Sequence, residues 1–140
     1  MKKIDIHSNS PLRSLFHEAQ KAQKNAYSPY FKHPVGAAII SDYLSYSGAN
    51  VEVANGDGTC AEAGAIAEMV KSGKRNIEHI AIVGPTDKAC PPCGRCRQRI
   101  REFSNDNTKV HVFANNGDLL KTYTMDELLP DFFGPENLQV

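Results

Sequence analysis

The chain has 140 residues, 41% hydrophobic and 23% charged, a balance typical of one globular domain and unlike that of disordered or fibrous proteins. Sixteen Lys and Arg residues balance sixteen Asp and Glu residues, so no net positive charge favours binding to a polynucleotide. No run approaches the roughly 18 apolar residues of a membrane span, and the N-terminal sequence lacks an apolar signal segment. We therefore expect a cytoplasmic single domain over residues 1–140, with 1–9 as a flexible N-terminus and neither a membrane nor a nucleic acid as partner.

Patterning in the first half of the chain predicts a helix followed by two strands. Ser10-Pro11 is a helix start signal, and apolar residues at helical spacing continue to about residue 26. The apolar run 35–40 is typical of a strand buried on both faces, and a second strand is expected over about 44–50.

The second half alternates helices and strands. A helix is expected to begin at Cys60, capped by Thr59, and to end near Gly73. Residues 77–83 predict a strand and 93–103 a short helix; 109–114 and 119–123 predict a hairpin around Asn116-Gly117, followed by a helical turn at 125–129. This order favours an α/β fold in which one sheet has helices on both faces.

Three cysteines and a glutamate form the strongest chemical signal. Cys60-Ala61-Glu62 makes a CxE motif and Pro92-Cys93-Gly94-Arg95-Cys96 a PCxxC motif, each at a predicted helix start. Helix N-terminal amides favour the thiolate form that zinc requires. Three protein ligands leave the fourth tetrahedral position of zinc open for water, as in catalytic sites. Glu62, two residues beyond a ligand, is then placed to carry protons, and the motif pair is the signature of zinc deaminases that attack C4 of cytosine.

Other interpretations of these residues remain open at this point. Cys90 forms a CxxCxxC pattern with the next two cysteines, so together with Cys60 it could complete a closed four-cysteine zinc site or hold an iron–sulfur cluster. Pro91-Pro92 imposes an extended path after Cys90, which favours simple burial of its thiol instead. A solvated helix residue is the alternative for Glu62 taken alone, and its position beside the ligand cysteines favours the catalytic role.

Over nearly its whole length the sequence resembles the cytidine deaminase family, specifically the small homotetrameric nucleoside enzymes. Besides the two motifs, the matching segments are Tyr27-Ser28-Pro29-Tyr30, 34–38, Asn50-Val51-Glu52, 127–130 and 133–138. The resemblance implies a cytidine deaminase-like three-layer α/β/α fold with a five-stranded mixed sheet. It also implies one Zn²⁺ per chain, a nucleoside substrate, and active sites shared between the subunits of a homotetramer.

The resemblance also implies roles for individual residues. Asn50 and Glu52 would hold the ribose hydroxyls, although by themselves they fit ordinary polar residues at a strand end. The backbone N–H of Ala61 would hold the pyrimidine carbonyl, and the carbonyl near Pro91 would accept from the departing amino group. Phe133 would stack on the base in a neighbouring subunit's site, although by itself it fits a core position.

Three departures from the family pattern concern the same site. His33 occupies the position of a usual aromatic residue, with Phe31 two positions earlier; it fits a stacking side chain, a titrating group or a turn residue, and we favour stacking. Ala63 stands where the family commonly has an arginine that neutralises the zinc thiolates, so Arg95, Arg97 and the helix amides become candidates for that role. The segment 53–59 lacks the family's aromatic residue and is one residue shorter.

The leading functional hypothesis is hydrolytic deamination of cytidine and 2′-deoxycytidine to uridine and 2′-deoxyuridine in pyrimidine salvage. The nearest alternative keeps this chemistry for a modified cytosine nucleoside or a nucleoside antibiotic of the blasticidin S type. Editing of RNA or DNA would require a basic groove, which the balanced charge disfavours. The non-enzymatic alternative is a structural zinc or iron–sulfur module.

Overall fold

The computed structural model describes residues 2–3 and 11–138. Its elements are β1 (Lys2–Lys3), α1 (Pro11–Gln23), β2 (Gly36–Ser41), β3 (Leu44–Ala49), α2 (Ala61–Lys71), β4 (His79–Val83), α3 (Gly94–Glu102), β5 (Lys109–Phe113), β6 (Leu119–Tyr123), α4 (Met125–Leu128) and a 3₁₀-helix (Pro135–Leu138). Most of the predicted flexible N-terminus lies outside the described residues. In the part of the chain that is described, no helix is long and apolar enough to cross a membrane.

The strands form one mixed sheet in the order β1-β3-β2-β4-β5-β6. The pair β4–β5 is parallel, with Ile80 opposite Val110, and the other neighbouring pairs are antiparallel. The five strands β2–β6 confirm the predicted five-stranded mixed sheet, and the two-residue β1 extends it at the β3 edge.

Helices cover both faces of the sheet. As a consequence, β2 is buried along its whole length. Alternate residues of a strand point to opposite faces, so Ala38 and Ile40 pack with Leu15 of α1 whereas Ile39 packs with Met69 of α2. Residues of α3 and α4 join the cluster formed by α2. The result is the predicted three-layer α/β/α arrangement, with α2 and α3 on the same face.

The predicted elements all occur, with shifted ends. The first helix ends at Gln23 rather than near residue 26, because the chain continues in tight turns such as Ala26 N–H to the Gln23 carbonyl at 3.0 Å. The prediction that Thr59 caps α2 is wrong. The backbone of Thr59 pairs with Val51 in an isolated bridge, and Cys60 takes the capping position.

Candidate active site

The N-termini of α2 and α3 hold the three predicted ligand cysteines. Cys60 and Cys93 are the N-cap residues of these helices, and both have extended backbone angles (φ −81°, ψ 159° and φ −67°, ψ 170°). Neither thiol makes a capping hydrogen bond, so both sulfur atoms are available to a ligand. Cys96 lies one turn into α3, fully buried.

The three sulfur atoms have the spacing of a zinc site. The Sγ atoms of Cys60, Cys93 and Cys96 all lie within 4.8 Å of one another, and those of Cys60 and Cys93 are 3.8 Å apart. Zn–S bonds of about 2.3 Å in a tetrahedron place two sulfur atoms roughly 3.8 Å apart, so the observed pair fits zinc. Three sulfur ligands leave one tetrahedral position for a small molecule.

Cys90 lies outside the sulfur cluster. Its Sγ is 3.5 Å from Nε2 of His33, and its side chain packs partly against the core. A closed four-cysteine zinc site and a four-cysteine iron–sulfur cluster both need a fourth thiolate. The structure therefore supports the three-cysteine interpretation of the sequence.

The cysteines differ in how readily they ionise. Desolvation opposes ionisation of Cys93, but hydrogen bonds from the backbone N–H groups of Cys96 and Arg95 and from neighbouring thiols hold its pKa below the ordinary value. Burial raises the pKa of Cys60 and, more strongly, that of Cys96. A positive charge at the cluster, from the metal ion or from a side chain beside Cys96, favours the three thiolates that zinc binds.

Glu62 is the acidic residue in the first turn of α2 and is only 4% exposed. Burial raises the pKa of its carboxyl above the ordinary value, and Cys96 and Arg99 oppose that rise. A carboxyl with a raised pKa exchanges a proton more readily near neutral pH. Glu62 is therefore not the solvated helix residue that its sequence position alone allowed.

A cavity of about 520 Å³ opens over the cluster, within the usual range for small-molecule sites. It is lined by Phe31, His33, Val35, Asn50, Val51, Glu52, Val53, Gly56, Gly58, Thr59, Cys60, Ala61, Glu62, Cys90, Pro91, Cys93 and Arg95. The cavity brings together all the predicted site residues except Cys96, which is buried in α3, and Phe133.

Known proteins share these features over most of the chain. Residues 9–112 match the family model described as the cytidine and deoxycytidylate deaminase zinc-binding region. The chain belongs to the cytidine deaminase family. A cytidine deaminase of Sporosarcina psychrophila is 40% identical over 129 residues, 91% of this chain and 94% of the relative, and one of Halalkalibacterium halodurans is 39% identical over 126 residues, 89% and 95%.

Solved cytidine deaminase structures have the same fold. The enzyme of Burkholderia pseudomallei superposes with a TM-score of 0.80 at 35% identity, covering 86% of this chain and 97% of that one. The enzyme of Mycobacterium tuberculosis gives a TM-score of 0.77 at 28% identity, covering 93% and 99%. The match to the zinc-binding region agrees with the fit of the cysteine cluster to one metal ion.

Asn50 and Glu52 are held rigidly at one side of the cavity. Asn50 accepts a hydrogen bond from Val35 N–H at 2.8 Å and donates to the His33 carbonyl at 3.0 Å. Glu52 accepts from the Ser28 hydroxyl at 2.7 Å and from the Tyr30 N–H at 2.9 Å. Asn50 and Glu52 keep further donor and acceptor capacity, so these bonds orient them without saturating them.

The ionisation of Glu52 follows from the same contacts. Desolvation favours the neutral form, yet the hydrogen bonds from Ser28, Tyr30 and Phe31 together keep the pKa of Glu52 below its ordinary value. Glu52 is therefore a carboxylate at neutral pH and can only accept hydrogen bonds.

The ring side chains of His33, Phe31 and Phe133 differ in their position relative to the cavity. His33 lines the cavity, whereas Phe31 is 81% exposed although it also reaches the lining. Phe133 is 57% exposed on the chain, and its carbonyl accepts a hydrogen bond from Gln98 Nε2 at 2.7 Å. The alternative of Phe133 as a core residue is therefore wrong.

A cation beside the cluster comes from a residue that the sequence reasoning missed. Arg97 does not take the compensating role predicted for it, because its guanidinium donates to the carbonyls of Pro92 and Leu128, both at 2.9 Å. Arg95 is exposed at the cavity. Arg99 Nη1 instead lies 3.5 Å from Cys96 Sγ. The sequence did carry a signal for this contact: Arg99 follows Cys96 by three positions on the same helix, which puts the two side chains on one face.

Proposed function

We propose that this chain hydrolyses the amino group of cytidine and 2′-deoxycytidine, giving uridine or 2′-deoxyuridine and ammonia. The observation that carries the proposal is the placement of Glu62 beside three clustered thiols, which together line or underlie a cavity large enough for a nucleoside. The cytidine deaminase names of the relatives support the same activity. The proposal includes a role in pyrimidine salvage, with the enzyme in the cytoplasm.

Cys60, Cys93 and Cys96 would hold one Zn²⁺ per chain. When bound, zinc supplies the nucleophile by making a water molecule acidic enough to lose a proton near neutral pH. The net reaction adds the oxygen of water at C4 of cytosine and releases the amino group as ammonia.

Glu62 is the residue that moves protons. The amino group leaves an aromatic ring poorly, so the ring nitrogen and then the departing nitrogen must be protonated. A buried carboxyl with a raised pKa accepts the proton that water loses and passes it to these nitrogens. The carboxyl thereby returns to its starting state.

Backbone groups would orient the base. Ala61 is the first residue of α2, so its N–H has no acceptor within the helix and is available to the pyrimidine carbonyl. Pro91 lines the cavity, and the carbonyl beside it would accept from the amino group that departs. His33 would form the wall on which the base stacks.

The sugar would bind at the side held by Asn50 and Glu52, which offer an amide and a carboxylate to the ribose hydroxyls. Both residues are fixed before the ligand arrives, which lowers the entropy lost on binding. The balanced charge of the chain supports a free nucleoside rather than a polynucleotide substrate.

A homotetramer would complete the site. Phe133 is an exposed aromatic residue outside the cavity of its own chain, which is compatible with stacking in the site of a neighbouring subunit.

The test follows the change in ultraviolet absorbance that accompanies deamination of cytidine to uridine. Glu62→Gln should keep one zinc per chain but lower kcat by about 10²–10⁴-fold, because the substituted amide cannot carry the proton. Glu68→Gln, at the other end of α2, is the matched control and should keep full activity. Cytidine left unchanged by the zinc-loaded wild type, with Glu62→Gln indistinguishable from it, rejects the proposal.

A second candidate substrate is a modified cytosine nucleoside or a nucleoside antibiotic of the blasticidin S type. It is favoured by His33 in the wall and by segment 53–59, whose lining residues Val53, Gly56, Gly58 and Thr59 contribute no aromatic side chain to the cavity. Turnover of base- and sugar-modified analogues against cytidine distinguishes the two, since a higher kcat/KM for an analogue selects the second candidate.

A further inference from the structure

Arg99 makes a contact that the deamination chemistry described above does not use. Its Nη1 lies 3.5 Å from Sγ of Cys96, in hydrogen-bonding range for sulfur. The two residues are three positions apart on α3, so the contact is built into one helical face. Cys96 is fully buried, whereas Arg99 is partly exposed.

The cluster needs a positive charge at this place. Three thiolates around Zn²⁺ carry a net charge of minus one, and an ionised Glu62 beside them adds a second negative charge. Glu62 and Cys96 are both buried, and burying uncompensated charge is costly. A cation in contact with a cluster sulfur removes much of that cost.

Other candidate cations around the cluster do not meet this need. Arg97 is committed to two backbone carbonyls, Arg95 is exposed at the cavity, and the position after Glu62 on α2 is Ala63. Among the arginines of α3, Arg99 is the one whose guanidinium hydrogen-bonds to a cluster sulfur within the described chain.

We propose that Arg99 is a positioning residue of the zinc site, whose guanidinium compensates the excess negative charge of the three thiolates through Cys96. The inference rests on the proposed function, since it concerns the same metal. Arg99 acts through a ligand and stays out of contact with the substrate. The charge compensation that the resemblance implied for position 63 of α2, which is Ala63 here, is then supplied from α3.

The charge and the donor geometry of Arg99 can be separated by substitution. Arg99→Met keeps the unbranched apolar stem of the side chain and removes both. Arg99→Gln keeps a donor and removes the charge, while Arg99→Lys keeps the charge on a more strongly hydrated head. Arg13→Met, on an exposed position of α1 across the sheet, is the matched control for removing one arginine.

The experiment measures how fast zinc passes from each loaded protein to a colorimetric chelator, without substrate. Partners of metal ligands typically change metal affinity by about 10–100-fold, so Arg99→Met and Arg99→Gln should release zinc about 10–100 times faster than the wild type. Arg99→Lys should lie between them and the wild type, and Arg13→Met should match the wild type.

A spectroscopic measurement separates charge compensation from a merely structural role. In cobalt-substituted protein, the sulfur-to-cobalt charge-transfer band should shift in Arg99→Gln but not in Arg13→Met, because the electron density on Cys96 changes. Equal zinc release and equal bands for wild type, Arg99→Gln and Arg99→Lys overturn the inference while deamination by the wild type stands. If the wild type itself binds no zinc, the proposed function fails first. If circular dichroism shows that Arg99→Met does not fold, the comparison of Arg99→Lys with Arg99→Gln tests the inference instead.

Discussion

Ser28 shows how a single residue beneath the cavity wall can control two residues within it. Its hydroxyl donates to Glu52 Oε2 at 2.7 Å and accepts from the His33 N–H at 2.9 Å. One side chain thereby fixes the carboxylate proposed to bind ribose and the segment that carries the proposed stacking wall. Ser28 does not line the cavity, so its effect on a substrate is indirect.

We predict that Ser28→Ala raises KM for cytidine with a smaller change in kcat. Without the Ser28 hydroxyl the Glu52 carboxylate is less well oriented towards the ribose hydroxyls, so we expect KM to rise by roughly tenfold. Steady-state kinetics with cytidine and with a 3′-deoxy analogue measure the effect, which should be smaller for the analogue. Ser14→Ala on α1 is the control, and an unchanged KM for Ser28→Ala would contradict the role given to Glu52.

At the scale of elements, the position of α2 depends on its close approach to β3. A Cβ added at Gly48 would fall on the backbone of α2, including the Ala61 carbonyl oxygen at 2.6 Å. Only a residue without a side chain lets strand and helix come this close. The contact lies in the first turns of α2, the part of the helix that presents Cys60 and Glu62.

Gly48→Ala should therefore displace the N-terminus of α2. Overpacking of this kind costs typically about 1–3 kcal/mol, and we expect a loss of that size in the free energy of unfolding in urea. Bound zinc per chain should fall with it, because Cys60 moves relative to Cys93. Gly94→Ala is the control for stability, since a Cβ there meets nothing within 4 Å. A Gly48→Ala protein as stable as Gly94→Ala would show that α2 can shift without cost.

At the scale of the whole molecule, two histidines couple the stability of the sheet to pH. His79 Nδ1 lies 3.0 Å from His111 Nε2, and His111 Nδ1 lies 2.8 Å from Thr122 Oγ1, so the chain of contacts crosses β4, β5 and β6. Burial, followed by the nearby His79 and Lys109, lowers the pKa of His111 to about 4. Burial also lowers the pKa of His79.

Stability should fall as the pH is lowered from about 6.5 towards 4. In this window the unfolded chain binds a proton on His111 that the folded chain does not bind, so protonation favours unfolding. Above about pH 6.5 His111 is neutral in both states, so its full contribution to the free energy of unfolding is present. As the pH falls towards 4, at most about 3 kcal/mol of this free energy is lost. Urea unfolding at several pH values should show a shallower decline for His111→Gln than for the wild type, with His17→Gln as control. Parallel curves for His111→Gln and the wild type would refute the linkage.

The proposed sharing of active sites between subunits can be tested at the same scale. If Phe133 stacks in a neighbour's site, a mixture of Glu62→Gln and Phe133→Ala chains contains sites with both residues intact. Dissociating and reassociating the two variants together should give more deaminase activity than the sum of the separate proteins. Glu62→Gln mixed with Glu52→Ala should show no such gain, because both residues line the cavity of one chain. No gain for the first mixture would place Phe133 outside the site.

The sequence alone was sufficient for the elements and the metal ligands, because both depend on local patterns. Apolar periodicity and helix start signals predicted α1 to α4 and β2 to β6 to within a few residues. Helix N-termini favour thiolates, and this put Cys60 and Cys93 at the metal before any contact was known. The Pro91-Pro92 pair likewise favoured burial of Cys90 away from the cluster, and the structure confirms it.

Only the tertiary structure decided which partners these groups have. The choice of Arg99 over Arg97 depends on where α3 packs, since Arg97 faces the Leu128 carbonyl across to α4. The link from Ser28 to Glu52 joins residues 24 positions apart, and Thr59 lost the cap of α2 because its backbone pairs with Val51. The contacts of Arg97, Glu52 and Thr59 join segments that are separate along the chain, so local spacing carries no signal for them.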